Sequence, residues 1–576
     1  MGHVLEKVLA DSIARWWRLN GDDVRFQIGT DEHGVKIQQT ADREKLSPQT
    51  LVDRNVPLFR DLYDRLHISY DCFIRTTDQT AHWPTALELW KRLQNGGALE
   101  KRTYTGLYCS GCEKFMTKKD IIDGKCPDHQ KAPENVSEEN WFFLLKREEG
   151  WLRELLTSDD GYRIIPTSRS QETLSLMDRG LEDVSFSRPN SSLSWGIPVP
   201  GDPGQTMYVW CDALTNYLSG LGYFTDHEEG EWWNNAEVTH VIGKDIARFH
   251  ALIWPAMLKH AGLPVPPPHR LLIHGFITSE GQKMSKSIGN VVDPIEVIEK
   301  YGVDALRFYL LHEIPVGNDG DFSWKRFGEV YKSKLADQIG NLLNRVLVLF
   351  HKDGQELADG WPQQCLDTTT ESNWQHYEKF FETFELDWSL KAALNIVEMC
   401  NMQMQEQQVW AKPSHERVEY LTEFAEAMRH VSLMLLPFIP ETAQKMSKQL
   451  GVPYADDMLN RMFTIKPTYK QWGGVQTGRG WGSRQFSSPR SIRGIAGENP
   501  SATLVMLSYT RYRSAFAVRG VASHGVRERR GERSILYTFS PIFYVRSHVR
   551  SSRFAGPRYR RFCRCSRSTA RTAVCG

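Results

Sequence analysis

Apolar residues at Val4, Leu5, Val8, Leu9, Ile13 and Trp17 recur close to every 3.6 positions, which predicts an amphipathic helix that Gly21 stops. Val24, Phe26 and Ile28 then alternate with other residues, the period of a strand, and run into the polar cluster Gly29-Thr30-Asp31-Glu32-His33-Gly34. A polar loop at the carboxyl end of such a strand is where α/β sheets place their ligands. The amino-terminal part therefore reads as a parallel sheet covered by helices. After Asp321-Phe322-Ser323-Trp324 the pattern changes to long amphipathic helices, for example Asp337 to Phe350 and Trp388 to Glu406, with short polar connectors up to about Lys448. That succession predicts a helix bundle. Beyond about Arg479 neither period is sustained over an element, and no fold is expected there.

A chain of 576 residues has room for three or four domains at roughly 150 residues each. No apolar run approaches the ~20 residues of a membrane span. The first residues lack the basic-then-apolar pattern of a secretory signal, so a cytoplasmic enzyme is expected. The net charge of +1 hides an asymmetry: from Gln471 onward there are 20 Arg and 3 Glu with no Lys or Asp, leaving 51 basic and 67 acidic residues before it. An acidic body thus carries a basic tail. Cys72, Cys211, Cys365 and Cys400 are scattered and Cys563, Cys565 and Cys575 lie in the tail, whereas Cys109, Cys112 and Cys126 cluster with His129. This distribution suits one metal site and reduced thiols rather than disulfides.

Gly2-His3 opens the first helix, and Lys283-Met284-Ser285-Lys286-Ser287 stands between Gly281 and Gly289. Each alone is weak: a Gly-His pair can be accidental, and two lysines in a Gly- and Ser-rich loop can be a solvated turn. Together they resemble the signatures of class I aminoacyl-tRNA synthetases, Gly2-His3 as the last two residues of the HIGH motif and Lys283 to Ser287 as KMSKS unaltered. Residues 29–34, Tyr208-Val209-Trp210-Cys211-Asp212-Ala213, and Ile242-Gly243-Lys244-Asp245-Ile246 followed by Phe249-His250 resemble methionyl-tRNA synthetases, in that family's order. The resemblance runs from Gly2 to about Trp472.

The resemblance implies a Rossmann-like α/β catalytic domain split by a zinc-knuckle insertion, then an all-α anticodon-binding bundle. The expected divisions are 1–100 and 196–300 for the two parts of the catalytic domain, 101–195 for the insertion, 301–335 for a stem-contact region, 336–475 for the bundle and 476–576 for the tail. The implied reaction joins L-methionine to tRNA(Met) through methionyl-adenylate, with ATP and Mg²⁺, in a monomer or homodimer. His3, with the free N–H groups of its helix end, suits phosphate oxygens. Lys286, and Lys283 behind it, would reach the triphosphate from a Gly-flanked loop; Gly2, Met284, Ser285 and Ser287 complete the ATP-binding set. Asp31 would hold the α-ammonium, and Trp210, Ala213, Tyr217, Phe249 and His250 would cage the thioether. The aromatics and His250 are equally at home as core packing.

Cys109-Ser110-Gly111-Cys112, thirteen residues, then Cys126-Pro127-Asp128-His129 gives two ligand pairs that suit a closed, structural Zn²⁺ site. Buried free thiols are the plainer alternative. In the bundle, Asn341 and Arg345 share a helical face, and with Trp410 they supply the amide, guanidinium and indole that a splayed anticodon loop requires. A solvated face accounts for the first two equally well, and helix packing for the third.

Two departures bear on activity. The family's first strand and first signature histidine precede Gly2, Met1 stands where the family has isoleucine, and that strand would be central to the sheet. A lost upstream segment or a misplaced start is therefore expected. The Arg-rich tail is expected to be a shifted reading frame with its slip near Arg479-Gly480-Trp481-Gly482, a basic tRNA-binding arm being the alternative. The leucine, isoleucine and valine enzymes carry an editing insertion too large for the gap between His3 and Lys283, and cysteine enzymes place zinc at the amino-acid site. A catalytically inert tRNA-binding relic is the competing function.

Overall fold

The computed structural model describes residues 1–473, except 110–113, 117–120, 128–130, 159–160, 266–268, 285–288, 354–357 and 359–365, together with 537–538 and 540–547. The helix Gly2–Leu19 feeds β1 (Asp23–Asp31), and after helices Val35–Glu44 and Pro48–Arg65 comes β2 (Cys72–Arg75). The chain then makes β3 (Leu99–Cys109), β4 (Lys114–Met116), β5 (Glu134–Phe143), β6 (Tyr162–Ile165), β7 (Val184–Ser185), β8 (Ser187–Pro189), β9 (Pro198–Val199) and β10 (Asp202–Met207). The helix Val209–Ser219 leads to β11 (Glu237–Gly243) and β12 (His269–His274). β13 (Ile277–Ser279), β14 (Gln282–Lys283) and β15 (Gly320–Phe322) follow, and β16 (Tyr537–Thr538) and β17 (Ile542–Arg546) lie far along the chain.

Seven of these strands form the central sheet, in the order β16-β1-β17-β11-β12-β6 with β2 beside β1. β1–β2, β11–β12 and β12–β6 pair in parallel, as helix-covered strands do. β6 falls in the 101–195 stretch read as insertion, so that stretch also gives the catalytic sheet an edge strand. Its other strands make a separate sheet, β4-β3-β5-β7, except β8, which pairs with β10.

The tail departs from expectation. β17 lies antiparallel between β1 and β11, with Arg25 opposite Tyr544 and Val238 opposite Tyr544 on the other side. It fills the central place that the resemblance leaves to a strand ahead of Gly2. Ile542, Phe543, Tyr544 and Val545 are all buried, Phe543 and Val545 in the cluster that holds the first helix, Ile542 and Tyr544 in the one that holds Trp233 and Trp254. Burial of each such side chain is worth about 1.5–3 kcal/mol. No alternation marked it in sequence because both of its faces are covered, and a run of four apolar residues in an Arg-rich stretch carries no period.

Beyond Phe322 the helices Asn341–Lys352, Leu366–Glu382, Leu386–Glu406, Ser414–Leu435 and Pro440–Gln449 pack against one another. Every residue from Leu421 to Leu435 is buried, so Ser414–Leu435 is the central rod. Arg307 ties the parts together: fully buried, it pairs with Asp11 of the first helix at 2.7 Å and donates to the carbonyls of Leu66, Pro437 and Phe438. Among the described residues, no helix is long and apolar enough to cross a membrane.

Candidate active site

β1 ends at Asp31, buried at the carboxyl edge of the sheet, and Gly34 then takes a φ of 106° that L side chains rarely adopt. The turn sends His33 inward, where its Nδ1 donates to Asp212 Oδ2 at 2.6 Å. His82 Nε2 donates to the other oxygen, also at 2.6 Å. Burial alone would raise the Asp212 carboxyl, but these two imidazoles hold it below its usual range. Asp212 belongs to the helix Val209–Ser219, which carries Trp210, Ala213 and Tyr217. The His33–Asp212 bond thus fastens the strand end bearing Asp31 to the helix bearing the aromatic residues. Sequence reading gave His33, His82 and Asp212 no role, although His33 and Asp212 both lie in the segments that carried the resemblance.

The aromatic residues do come together. Phe249 and His250 sit on a single π-turn, Phe249–Ile253, a distortion common at functional sites. It lays Phe249 flat on Trp210, with centroids 3.8 Å apart and planes 9° from parallel. His250 stands edge-on to Trp210 at 6.3 Å. Its Nδ1 faces the Ile246 carbonyl at 3.1 Å, which can only accept, so Nδ1 carries the proton and Nε2 accepts from the Tyr217 hydroxyl at 2.6 Å. Desolvation pulls the His250 pKa down to about 4, keeping the ring neutral. Ala213 packs with Ile74 and Trp210. A polarizable slab, a neutral imidazole and a carboxylate at the strand end can receive an apolar side chain on an ammonium-bearing ligand.

Gly2 and His3 open the first helix and are exposed to solvent. The neighbouring protein nevertheless lowers the His3 imidazole below its ordinary value by partial desolvation, Glu6 opposing. One turn on, burial works to raise the Glu6 carboxyl, but Lys7 and His274 hold it down at about 2. Lys283 lies in β14, opposite Thr278 of β13. The hairpin is anchored by Asp321, whose Oδ1 accepts from Gly281 N at 2.8 Å and Thr278 Oγ1 at 2.6 Å. Gly281 and Gly289 take φ values of 72° and 77° on either side of the loop. Met284 packs against the core; Ser285, Lys286 and Ser287 lie outside the described residues.

In the insertion Cys109 and Cys126 are buried together with Met116, beside Ile121, while Cys112 and His129 lie outside the described residues. In the bundle Arg345 is exposed, and Asn341 is half-buried with its amide 3.4 Å from Asp337 Oδ1. Trp410 is 42% exposed on the short turn Val409–Ala411. That turn is tied to the end of Asn341–Lys352 by Arg417, which donates to the Trp410 carbonyl and pairs with Asp353 at 2.6 Å.

The family profile for tRNA synthetases of class I (M) matches residues 1–135 and 120–347. A methionine–tRNA ligase of Caldanaerobacter subterraneus is 40% identical over 468 residues, 78% of this chain and 72% of the relative. One from Brucella suis is 38% identical over 469 residues, 79% of this chain and 89% of the relative. Among solved structures, Mycobacterium tuberculosis methionyl-tRNA synthetase in complex with methionyl-adenylate is similar at a TM-score of 0.72 and 34% identity, over 78% of this chain and 90% of that one. Its free form gives 0.65 and 29%, over 80% and 90%. The chain belongs to the methionyl-tRNA synthetases of class I, and is a ligase.

Proposed function

We propose that this chain activates L-methionine with ATP and transfers it to the 3′ end of tRNA(Met). The observation that carries the reading is the stacked Trp210–Phe249 slab with Tyr217 and His250, fastened to Asp31 through His33 and Asp212. Asp31 holds the ammonium and the slab holds the thioether, which leaves the carboxylate free to attack the α-phosphorus of ATP. A new oxygen–phosphorus bond forms as pyrophosphate leaves. A terminal hydroxyl of tRNA then attacks the acyl carbon and AMP departs.

Positioning and charge stabilisation supply most of such catalysis. His3 and the helix end take phosphate oxygens, while Lys283 and Lys286 follow the charge that builds on pyrophosphate. Mg²⁺ accompanying ATP as part of the substrate would supply further neutralisation of its phosphate charge. The M. tuberculosis relative in complex with methionyl-adenylate supports that intermediate here.

Cys109, Cys112, Cys126 and His129 would hold one Zn²⁺. The burial of Cys109 and Cys126 beside Met116 fits a dry, closed site, where the ion supplies cross-linking rather than a reactive water. Asn341, Arg345 and Trp410 read the anticodon loop.

Methionine-dependent ATP–pyrophosphate exchange tests the proposal. Exchange with methionine above all other amino acids is expected. A folded chain that binds tRNA but exchanges with none would overturn the proposal in favour of the inert relic.

A further inference from the structure

Five residues of the Arg-rich tail sit at the centre of the catalytic sheet, and their contacts extend to the amino-acid pocket. On one edge β17 pairs with Asp23–Gln27 of β1 and on the other with Glu237–His240 of β11. Just before it, the Pro541 carbonyl accepts from Val241 N at 2.9 Å. The same run passes the carboxyl end of β1, where Thr538 faces Thr30 and Tyr537 faces Asp31. Between the facing pairs Gln27–Ile542 and Thr30–Thr538 the tail has one residue more than β1.

Tyr544 reaches furthest. Its hydroxyl donates to the Tyr217 carbonyl at 2.7 Å. That carbonyl lies in the last turn of Val209–Ser219, where helix carbonyls lack an intrahelical partner. Tyr217 in turn donates to His250, which stands edge-on to Trp210. Arg546 anchors the strand's far end, 4.1 Å over the Trp232 ring and 3.6 Å from Glu231.

We propose that residues 540–546 are a working part of the amino-acid site: a central strand supplied by the tail, whose Tyr544 is a positioning residue that sets the methionine pocket through Tyr217 and His250. This rests on reading Tyr217 and His250 as that pocket. Tyr544 touches no substrate. It satisfies a buried carbonyl, and without its hydroxyl the helix end is free to turn Tyr217 off His250.

Two measurements on the full chain test it. Y544F removes one hydroxyl and leaves the ring packed. The KM for methionine should rise about fivefold, the effect of one hydrogen bond, with the KM for ATP and kcat within about twofold. An unchanged methionine KM, or all three parameters worsening together as packing loss would make them, overturns the positioning role. The second is independent of activity: Asp23 and Arg546 face each other in register, so D23C/R546C should form a disulfide on mild oxidation, seen as a cross-linked peptide by mass spectrometry. Both thiols staying free would overturn the placement. A wild-type chain that exchanges with methionine beside a silent Y544F sinks this inference alone. A wild-type chain inactive with every amino acid sinks the functional reading, and the cross-link still decides where the strand lies.

Discussion

The proposed amino-acid pocket and the exposed face of the bundle are built in opposite ways. In the pocket Tyr217, Ala213 and His250 are buried, and Tyr217 and His250 each have their polar atoms engaged, so the cage is set before any ligand arrives. On the bundle Arg345 and Trp410 project into solvent, and only the backbone of Trp410 is fastened, by Arg417. A site that must exclude water around a small apolar side chain needs its walls fixed in the apo protein. A surface that meets splayed bases fixes its backbone and leaves side chains to stack as the nucleic acid docks. The largest expected effect therefore lies in the pocket. Asp31→Ala would remove the carboxylate proposed to hold the ammonium, and the methionine kcat/KM of exchange should fall on the order of a hundredfold or more, with tRNA affinity unmoved. A loss shared equally by both readouts would erase the contrast.

The same contrast predicts an acid limit. His250 is neutral in the fold, its pKa held at about 4 against an ordinary 6.5. As pH falls below 6.5 the unfolded chain takes up the proton and the folded chain does not. The stability this group contributes is thus full above 6.5 and lost progressively down to about 4, worth about 3 kcal/mol. Urea unfolding at intervals from pH 7 to 5 should show the decline, and His250→Gln, which does not titrate, should make it shallower by this group's share, the rest coming from His240, His269 and His430, which burial also lowers. A slope unchanged in that variant would place the titration elsewhere.

Much of this was legible in the sequence, for identifiable reasons. The first helix and β1 were read from apolar period although both are buried on nearly every side, because polar residues such as Glu6, Lys7, Asp11 and Gln27 still interrupt their apolar positions. Trp210, Phe249 and His250 were found through segments that resemble a family, not through spacing: the π-turn that stacks Phe249 on Trp210 leaves no mark in composition. His33, His82 and Asp212 escaped because their bond joins positions far apart in the chain, which no local pattern encodes. β17 was missed for the opposite reason, being buried on both faces and set among arginines. Lys286, Cys112 and His129 lie outside the described residues.

On the bundle the greatest loss should come from Trp410. Its indole is 42% exposed with its backbone tethered, an arrangement that offers a stacking face at low ordering cost. Stacking on an aromatic is worth about 1–3 kcal/mol per base, so Trp410→Ala should raise the KM for tRNA roughly tenfold while methionine-dependent exchange, which needs no tRNA, stays at the wild-type rate. A fall in exchange would show that the turn supports the catalytic half, and the separation of the two regions would fail.

Asn341→Ala should have the smallest effect, and it sharpens the comparison most. Asn341 stands at the start of its helix, half-buried, with its amide 3.4 Å from Asp337 Oδ1, so of the three bundle residues it alone has a side chain partly held in advance. A neutral amide contributes about 1 kcal/mol through a hydrogen bond to a base, or about a fivefold rise in the KM for tRNA, less than the loss of a stacking plane. If partial pre-organisation matters on this face, Asp337→Ala should reproduce part of that rise by freeing the amide to rotate, without any contact to tRNA of its own. If Asp337→Ala is silent while Asn341→Ala is not, the amide orders only when the loop binds. The bundle would then be the open surface its exposure suggests, with pre-organisation confined to the pocket.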